Sequence, residues 1–272
     1  MKNTNDGPLV SIIITNYNKS NFLLESVRSC LKQTYKNKEI IFFDDKSNDG
    51  SLEKIRKFKK KNKHNFKIIT NFKKKKLFPT YNHIFAIQKS LSKANGKYIF
   101  LLDSDDYFNQ NKIKEIIQLF ESDKKNKFIL DLPILKFKKK EIKKSFKYKL
   151  SKNKWPKFPP TSCMCFEKKT LKAVIKKISF KKFPTLAIDF RLAVYYSLIL
   201  KKFRIYKSHL TFYRQVEDSM DSKYVKFRSK EWWSRREEAF EFLNLILKNN
   251  RLPINKSLDF FITKLFNKIL KV

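Results

Sequence analysis

Four short apolar runs set the limits on how this chain can fold. They cover residues 10–14, 39–43, 66–70 and 97–102, and stretches of helical apolar spacing separate them. Residues 10–14 read Val-Ser-Ile-Ile-Ile, a β-branched run that suits a strand buried on both faces. Leu23, Leu24, Val27, Cys30 and Leu31 then recur at helical spacing, with Asn21 placed to cap that helix. Leu52, Ile55 and Phe58 mark a second helix. Ile84, Phe85, Ile87 and Leu91 mark a third, over residues 80–93, with Gly96 as its expected C-terminal cap. Ile113, Ile116, Ile117 and Phe120 mark a fourth. Strand and helix alternating in this way predict an α/β fold with a mostly parallel central sheet flanked by helices.

In such sheets ligands bind beyond the carboxyl ends of the strands. Three polar clusters lie at those ends: residues 15–18, 44–49 and 103–106. They are therefore expected to converge on one site. Past residue 125 the pattern weakens. Residues 128–135 and 162–166 read as strands, 136–158 as a loop or long hairpin, and 184–200 as one long apolar helix. Residues 203–206 and 210–213 read as two short strands, and 229–247 and 257–269 as two final helices. The expected division is a catalytic domain over residues 1–228, with a nucleotide-binding half at 8–122 and an acceptor half at 123–228, then a helical tail at 229–272.

Composition removes several classes of protein. With only Gly7, Gly50 and Gly96 present, neither a GxGxxG fingerprint nor a GxxxxGK phosphate loop can be written. The net charge of +38 arises from 54 Lys and nine Arg against 25 acids. Lys predominance argues against base reading, which favours the planar fork of Arg. The charge would still draw the chain towards an anionic membrane surface. Cys30, Cys163 and Cys165 are expected as free thiols in a reducing compartment, the latter two as buried strand sulfur. Residues 1–8 are polar with no apolar h-region, so no signal peptide is expected, and no apolar run reaches the ~18 residues of a membrane span.

The cluster Asp103-Ser104-Asp105-Asp106 follows a wholly apolar strand in an otherwise basic chain. Two carboxylates two residues apart on a turn suit a hard divalent cation, Mn²⁺ or Mg²⁺, shared with a substrate diphosphate. A solvated acidic turn at a helix start is the plainer reading of the same residues. Asp44 and Asp45 can accept hydrogen bonds from a nucleobase or ribose, or can build an Asx-rich turn with Ser47, Asn48, Asp49 and Gly50.

Residues 10–18 (VSIIITNYN), 29–35 (SCLKQTY), 39–51 (EIIFFDDKSNDGS) and 94–106 (ANGKYIFLLDSDD) together resemble family 2 glycosyltransferases of the GT-A fold. The resemblance is strong over residues 8–122 and looser over 161–219. It implies a nucleotide-sugar donor, a divalent cation and inversion at the anomeric carbon. By position it assigns Thr15, Asn16, Tyr17, Asp44, Asp45, Asn82, Asp103 and Ser104 to the nucleotide site. Asp105, supported by Asp103, becomes the metal ligand. The family's later catalytic acid falls on Asp189, as the general base that takes the acceptor proton; a helix cap or a partner for Arg191 is the structural alternative.

Two departures from the family pattern stand out. Thr80-Tyr81-Asn82 replaces an Ala-Arg-Asn context, and Val216 replaces a His after Tyr213-Arg214. A Lys of residues 73–76 is the substitute expected for the missing Arg. His64, His83 and His209 read as structural or exposed.

The resemblance points to transfer of a sugar from a UDP-sugar to a glycan or lipid-linked acceptor, in the cytoplasm, in cell-surface polysaccharide synthesis. The last helix adds a basic, amphipathic pattern, with Leu258, Phe261, Ile262, Leu265, Phe266, Ile269 and Leu270 on one side. Packing on the domain and lying on the inner face of a membrane both explain it. Trp232-Trp233 fits either an interface anchor or a core. The rival readings are a nucleotidyltransferase, disfavoured by the absence of a Gly-rich phosphate loop, and a nucleic-acid or membrane binder on an inactive transferase-like fold. Nucleic acid is disfavoured because acidic clusters repel phosphate.

Overall fold

The computed structural model describes residues 7–62, 66–71, 78–145, 158–178, 182–216 and 226–270. His64, the Lys73–Lys76 run, the middle of the 136–158 segment, Glu217 and Lys271 lie outside the described residues.

The first half alternates as the apolar runs require. It comprises β1 (Val10–Asn16), α1 (Leu23–Leu31), β2 (Lys38–Asp44), α2 (Ser51–Lys61), β3 (Phe66–Thr70), α3 (Pro79–Lys93) and β4 (Tyr98–Asp103). A two-residue β5 (Tyr107–Phe108) and α4 (Lys112–Ser122) complete it. The second half holds β6 (Phe128–Lys136), β7 (Glu141–Lys143), a short 3₁₀ turn (Thr161–Cys163), β8 (Met164–Glu167) and α5 (Lys168–Ile178). Then come α6 (Ile188–Val194), a π-helical turn (Tyr195–Leu200), β9 (Phe203–Arg214), α7 (Lys230–Asn249) and α8 (Leu258–Ile269).

One sheet runs in the order β3-β2-β1-β4-β8-β6-β9-β5, with β7 paired to β6. The strands β3, β2, β1 and β4 are parallel neighbours. β8 joins antiparallel to β4 and to β6, while β6 and β9 are parallel. Alternate side chains of a strand face opposite sides. Ile13, Ile99 and Leu101 enter the core shared with α3, α5, α6 and α7. Ile12, Ile14, Phe100 and Leu102 enter the opposite core with α1 and α4. Both faces of the parallel block are thus covered, which is why its strands read as continuous apolar runs.

Register positions the site. Asn16 pairs with Asp44 across β1 and β2, and Thr15 pairs with Asp103 across β1 and β4. The three strands end level, so their polar clusters meet at one edge.

Several expectations are corrected. Phe22, not Asn21, sits at the N-terminus of α1, and no side chain caps it. Ala94 ends α3 in an extended conformation. Gly96 serves a different need: a Cβ there would lie 2.4 Å from the Ser11 backbone nitrogen. Helix α5 was not foreseen, although Leu171, Val174, Ile175 and Ile178 are buried at i, i+3, i+4 and i+7. The long helix expected over 184–200 begins only at Ile188 and ends as a π turn, stopped by left-handed Lys201 at φ 51°. The two short strands expected over 203–213 form one strand, β9, whose pairing with β6 shifts register around Leu132 and Pro133. Residues 161–163 form a turn rather than strand, so Cys163 is buried in the turn and Cys165 in β8.

Among the described residues no helix is long and apolar enough to cross a membrane. Helix α7 contributes Ala239, Phe242, Leu243, Ile246 and Leu247 to the same core as α5 and α6.

Candidate active site

The site is built where β1, β2 and β4 end. The Thr15 hydroxyl donates to Asp103 Oδ1 at 2.9 Å. Nε2 of His83, on the first turns of α3, lies 3.2 Å from Thr15 Oγ1 and 3.2 Å from Asp103 Oδ1. Burial favours the neutral imidazole, but the charges of Asp103, Asp189 and Asp105 outweigh it and raise the His83 pKa. Three carboxylates from two distant parts of the chain therefore act on one ring. Burial also opposes the charge on Asp103, yet His83 and the Thr15 hydrogen bond hold its pKa below the ordinary carboxylate value.

The acids of the turn do not share one environment. Asp105 meets Lys19, Nζ to Oδ2 3.5 Å. Burial, and then the negative charge of Asp103, raise the Asp105 pKa. Asp106 points inward and is fully buried. Its Oδ2 accepts from the Ser162 hydroxyl at 2.5 Å and its Oδ1 from the Arg214 backbone N–H at 2.8 Å. Burial, followed by Asp105 and Asp103, pushes its pKa well up. Asp106 is thus a strut of the turn, and the expected centre of residues 103–106 narrows to Asp103 and Asp105.

Beneath the turn lies a closed ion pair. Lys112 Nζ is 2.7 Å from Asp131 Oδ1 and donates to the Ser162 carbonyl at 2.7 Å and to Thr211 Oγ1 at 2.6 Å. Lys112 and Asp131 are both fully buried. Through Ser162 this network supports Asp106. Arg214 clasps the turn from above: its guanidinium donates to the Asp105 carbonyl at 2.5 Å, pairs with Glu25, and lies 4.7 Å from the Tyr107 ring centre.

The second cluster is more enclosed. Asn16 Nδ2 donates to Asp44 Oδ1 at 2.8 Å and to Ser47 Oγ at 3.1 Å. Asp44 Oδ2 accepts the Ser47 N–H at 3.0 Å. Asp45 Oδ1 accepts from Asn71 Nδ2 at 2.7 Å. Asp44 is fully buried and Asp45 nearly so. Asp44 thus builds the Asx turn with Ser47, one of the two alternatives the sequence left open. Tyr17 stands at the rim, 49% exposed. Ser104 is buried and its N–H donates to the Thr15 carbonyl at 3.0 Å. Asn82 is half-buried on α3, one residue before His83.

Asp189 lies in the first turn of α6, where Ala187 holds the N-terminal position, and its Oδ1 accepts the Phe190 N–H at 2.6 Å. Buried Arg191 fixes the approach to this helix by donating to the carbonyls of Ile178, Phe183 and Leu186. Thr185 is held by Glu238 of α7, and Thr80 of α3 donates to the Pro184 carbonyl. The departure from the family at Thr80 thus acquires a structural role.

Comparison with known proteins now decides the affiliation. The profile described as glycosyl transferase family 2 matches residues 11–180, more than half of the chain. The chain belongs to glycosyl transferase family 2. An uncharacterized glycosyltransferase of Haemophilus influenzae is 40% identical over 111 residues, 40% of this chain and 40% of that protein. Escherichia coli WfaP, named as a UDP-Glc:alpha-D-GlcNAc-diphosphoundecaprenol beta-1,3-glucosyltransferase, is 40% identical over 116 residues, 43% of each chain. The chain therefore matches well under half the length of these curated relatives. Among solved structures, S. aureus TarS 1–349 in complex with UDP-GlcNAc superposes with a TM-score of 0.66 at 19% identity, covering 97% of this chain and 71% of that one. A mannosyltransferase of Pyrobaculum calidifontis, in complex with GDP-Man and Mn²⁺, gives 0.59 at 12% identity, covering 97% and 69%. The family 2 chain thus has the GT-A type of fold that the resemblance implied.

Three residues that touch the candidate site of this family 2 chain carry no motif in the sequence. They are His83, which the sequence presents as structural or exposed, Lys19 and Arg214. For His83 the available signal was its place beside Asn82 on the helix that faces the strand ends.

Proposed function

We propose that this chain transfers a sugar from a nucleoside-diphosphate sugar, with uridine as the nucleoside, to a hydroxyl of a glycan or lipid-linked acceptor on the cytoplasmic side of a membrane. The reading rests on one observation above others: Thr15, His83 and Asp103 meet within 3.2 Å at the carboxyl edge of the parallel strands, with Asp105 on the same turn. The names of the relatives support it. WfaP is described as using UDP-Glc and a diphosphoundecaprenol-linked acceptor, and the TarS structure holds UDP-GlcNAc.

The donor set suits a divalent cation. Two carboxylates supply hard oxygen ligands and leave coordination positions for a diphosphate. The pKa of Asp105 is raised by burial and by its neighbour Asp103, a strain that a cation between them would relieve. Among the described residues no group of three or more His, Cys, Asp and Glu able to hold a metal occurs. Mn²⁺ or Mg²⁺, held by Asp105 with Asp103, would offset the charge that develops on the departing diphosphate.

The chain's own residues divide the remaining work. Tyr17 offers its exposed ring to the base, and Asn16, Asp44 and Asp45 shape the turn that receives base and ribose. Thr15 and His83 orient Asp103, while Asn82 and Ser104 border the diphosphate. Asp189 takes the acceptor hydroxyl proton as that oxygen bonds to the anomeric carbon. The bond from that carbon to the diphosphate oxygen breaks, and its electron pair leaves with the nucleoside diphosphate. Attack from the opposite face inverts the centre. Calorimetry of UDP and GDP binding with and without Mn²⁺, followed by a screen of nucleotide sugars for metal-dependent hydrolysis, tests this reading. Equal nucleotide affinity in both conditions would remove the metal, and binding of no nucleotide would remove the reading.

A further inference from the structure

Helix α8 is mounted the wrong way round for a helix of a water-soluble domain. Its buried residues are polar: Thr263 is 0% and Asn267 1% exposed. Its large apolar residues face outward, with Leu258 at 74% and Phe261, Leu265 and Ile269 each at 57%. At 3.6 residues per turn these four, with Ile262, fall on one continuous stripe.

Specific contacts hold this orientation. Arg236 of α7 pairs with Asp259 and donates to Thr263 Oγ1 at 3.2 Å. Asn267 donates to Glu237. Aromatic contacts supplement these on the inner edges, Trp233 stacking on Phe266 with ring centres 4.9 Å apart. Rotating the helix to bury its stripe would break the ion pair and strand the polar groups of α7.

Ring contacts link the helix to one further exposed apolar side chain. Trp233 touches Trp232, which touches Phe227, 64% exposed. Basic side chains ring it. Lys256, Lys264 and Lys268 are exposed, as are Lys226 and Arg228 beside Phe227. The one acid of α8, Asp259, is engaged by Arg236. An apolar stripe edged by unopposed lysines matches one kind of partner: an apolar interior beneath a negative surface.

We propose that the outer face of α8, with Phe227 and the flanking lysines, is a docking surface for an anionic lipid bilayer, on which the helix lies in the plane of the interface. This is independent of the transfer chemistry.

A chain of net charge +38 will adhere to any anionic vesicle to some degree. The discriminating experiment therefore alters the apolar stripe and leaves the charge unchanged. The full chain and its Phe261→Ser, Leu265→Ser, Ile269→Ser variant are floated with vesicles of phosphatidylcholine alone and of phosphatidylcholine mixed with phosphatidylglycerol. The parent is expected to float with the mixed vesicles, and the variant to partition about a hundredfold more weakly. Because the three side chains are exposed, the urea midpoint of the variant should match the parent. A second variant, Lys264→Glu with Lys268→Glu, should lose about tenfold on mixed vesicles and little on phosphatidylcholine. Equal flotation of the parent and the serine variant would overturn the proposal. So would a parent dimer in sedimentation that the serine substitutions dissolve without vesicle binding, since the stripe would then belong to a second copy of this chain.

Discussion

Thr15 and Asp103 meet at the ends of neighbouring parallel strands, where the threonine hydroxyl donates to the carboxylate at 2.9 Å and His83 lies 3.2 Å from both. This arrangement orients Asp103 before any ligand arrives. Thr15→Val keeps the shape and removes the donor. Nucleotide affinity in the presence of Mn²⁺ should fall about tenfold. His83→Leu should cost a similar factor, and His83→Gln should recover part of it. Calorimetry reads both, and unchanged affinity in either variant would detach that residue from the donor site.

The two outward acids and Asp189 should separate by function. Asp105→Asn should abolish metal-dependent nucleotide binding while the far-ultraviolet circular dichroism stays unchanged. Asp189→Asn should retain donor binding and lower turnover by about 10²–10⁴-fold, the usual share of a general base. Loss of donor binding in the Asp189 variant would move that residue from base to binding.

Removing one partner of the buried pair Lys112–Asp131 should be severe, because the other charge is left uncompensated. Lys112→Met is expected to cost about 3–5 kcal/mol, and the double replacement Lys112→Met, Asp131→Leu to restore most of it. Urea midpoints of the single and double variants measure this. The double variant should still bind nucleotide more weakly, since Lys112 also holds the Ser162 carbonyl next to the hydroxyl that supports Asp106.

Acid should weaken the fold through Glu39. Burial disfavours its charge, but hydrogen bonds from Lys67, the Asn95 N–H and Ser11 outweigh that and lower its pKa. A carboxyl with a depressed folded pKa adds stability that is complete above its unfolded value of about 4.3. That stability is lost as the pH falls from there through the folded value. Glu39→Gln should therefore lower stability at neutral pH and flatten its decline in acid. Urea melts at a series of pH values test this, and parallel curves for the two proteins would contradict it.

Gly96 admits no side chain without moving β1. A Cβ there would lie 2.4 Å from the Ser11 nitrogen and 2.6 Å from its hydroxyl. Gly96→Ala should cost about 3 kcal/mol, as overpacking against backbone does. A thermal melt checks it.

The first half of the molecule was legible because its signals are local. The apolar runs ending at Asn16, Asp44 and Asp103 are continuous since both faces of the parallel block are covered. Their level ends follow from parallel pairing. The second half was harder to read. Helix α5 follows β8 with no break, so its spacing of Leu171, Val174, Ile175 and Ile178 had no start signal to announce it. The irregular pairing near Pro133 let polar residues into the middle of β9, which made one strand read as two. Lys19, His83 and Arg214 carry no motif of their own. His83 and Arg214 reach the strand ends because α3 and β9 carry them there, and Lys19 because the loop after β1 brings its amine to Asp105.

The sequence by itself determined the alternation of elements and the spacing of Asp103, Asp105 and Asp106, because periodicity and turn chemistry are properties of each segment. Tertiary structure decided which acid of the turn is buried. Asp106 turns inward only because Ser162 and Arg214 arrive from elsewhere in the chain. It likewise decided which face of α8 is covered. The amphipathic stripe is visible in the sequence, but its partner is not. A helix's spacing defines its two faces, while the residues it packs against choose between them, and here Arg236 and Glu237 chose the polar one.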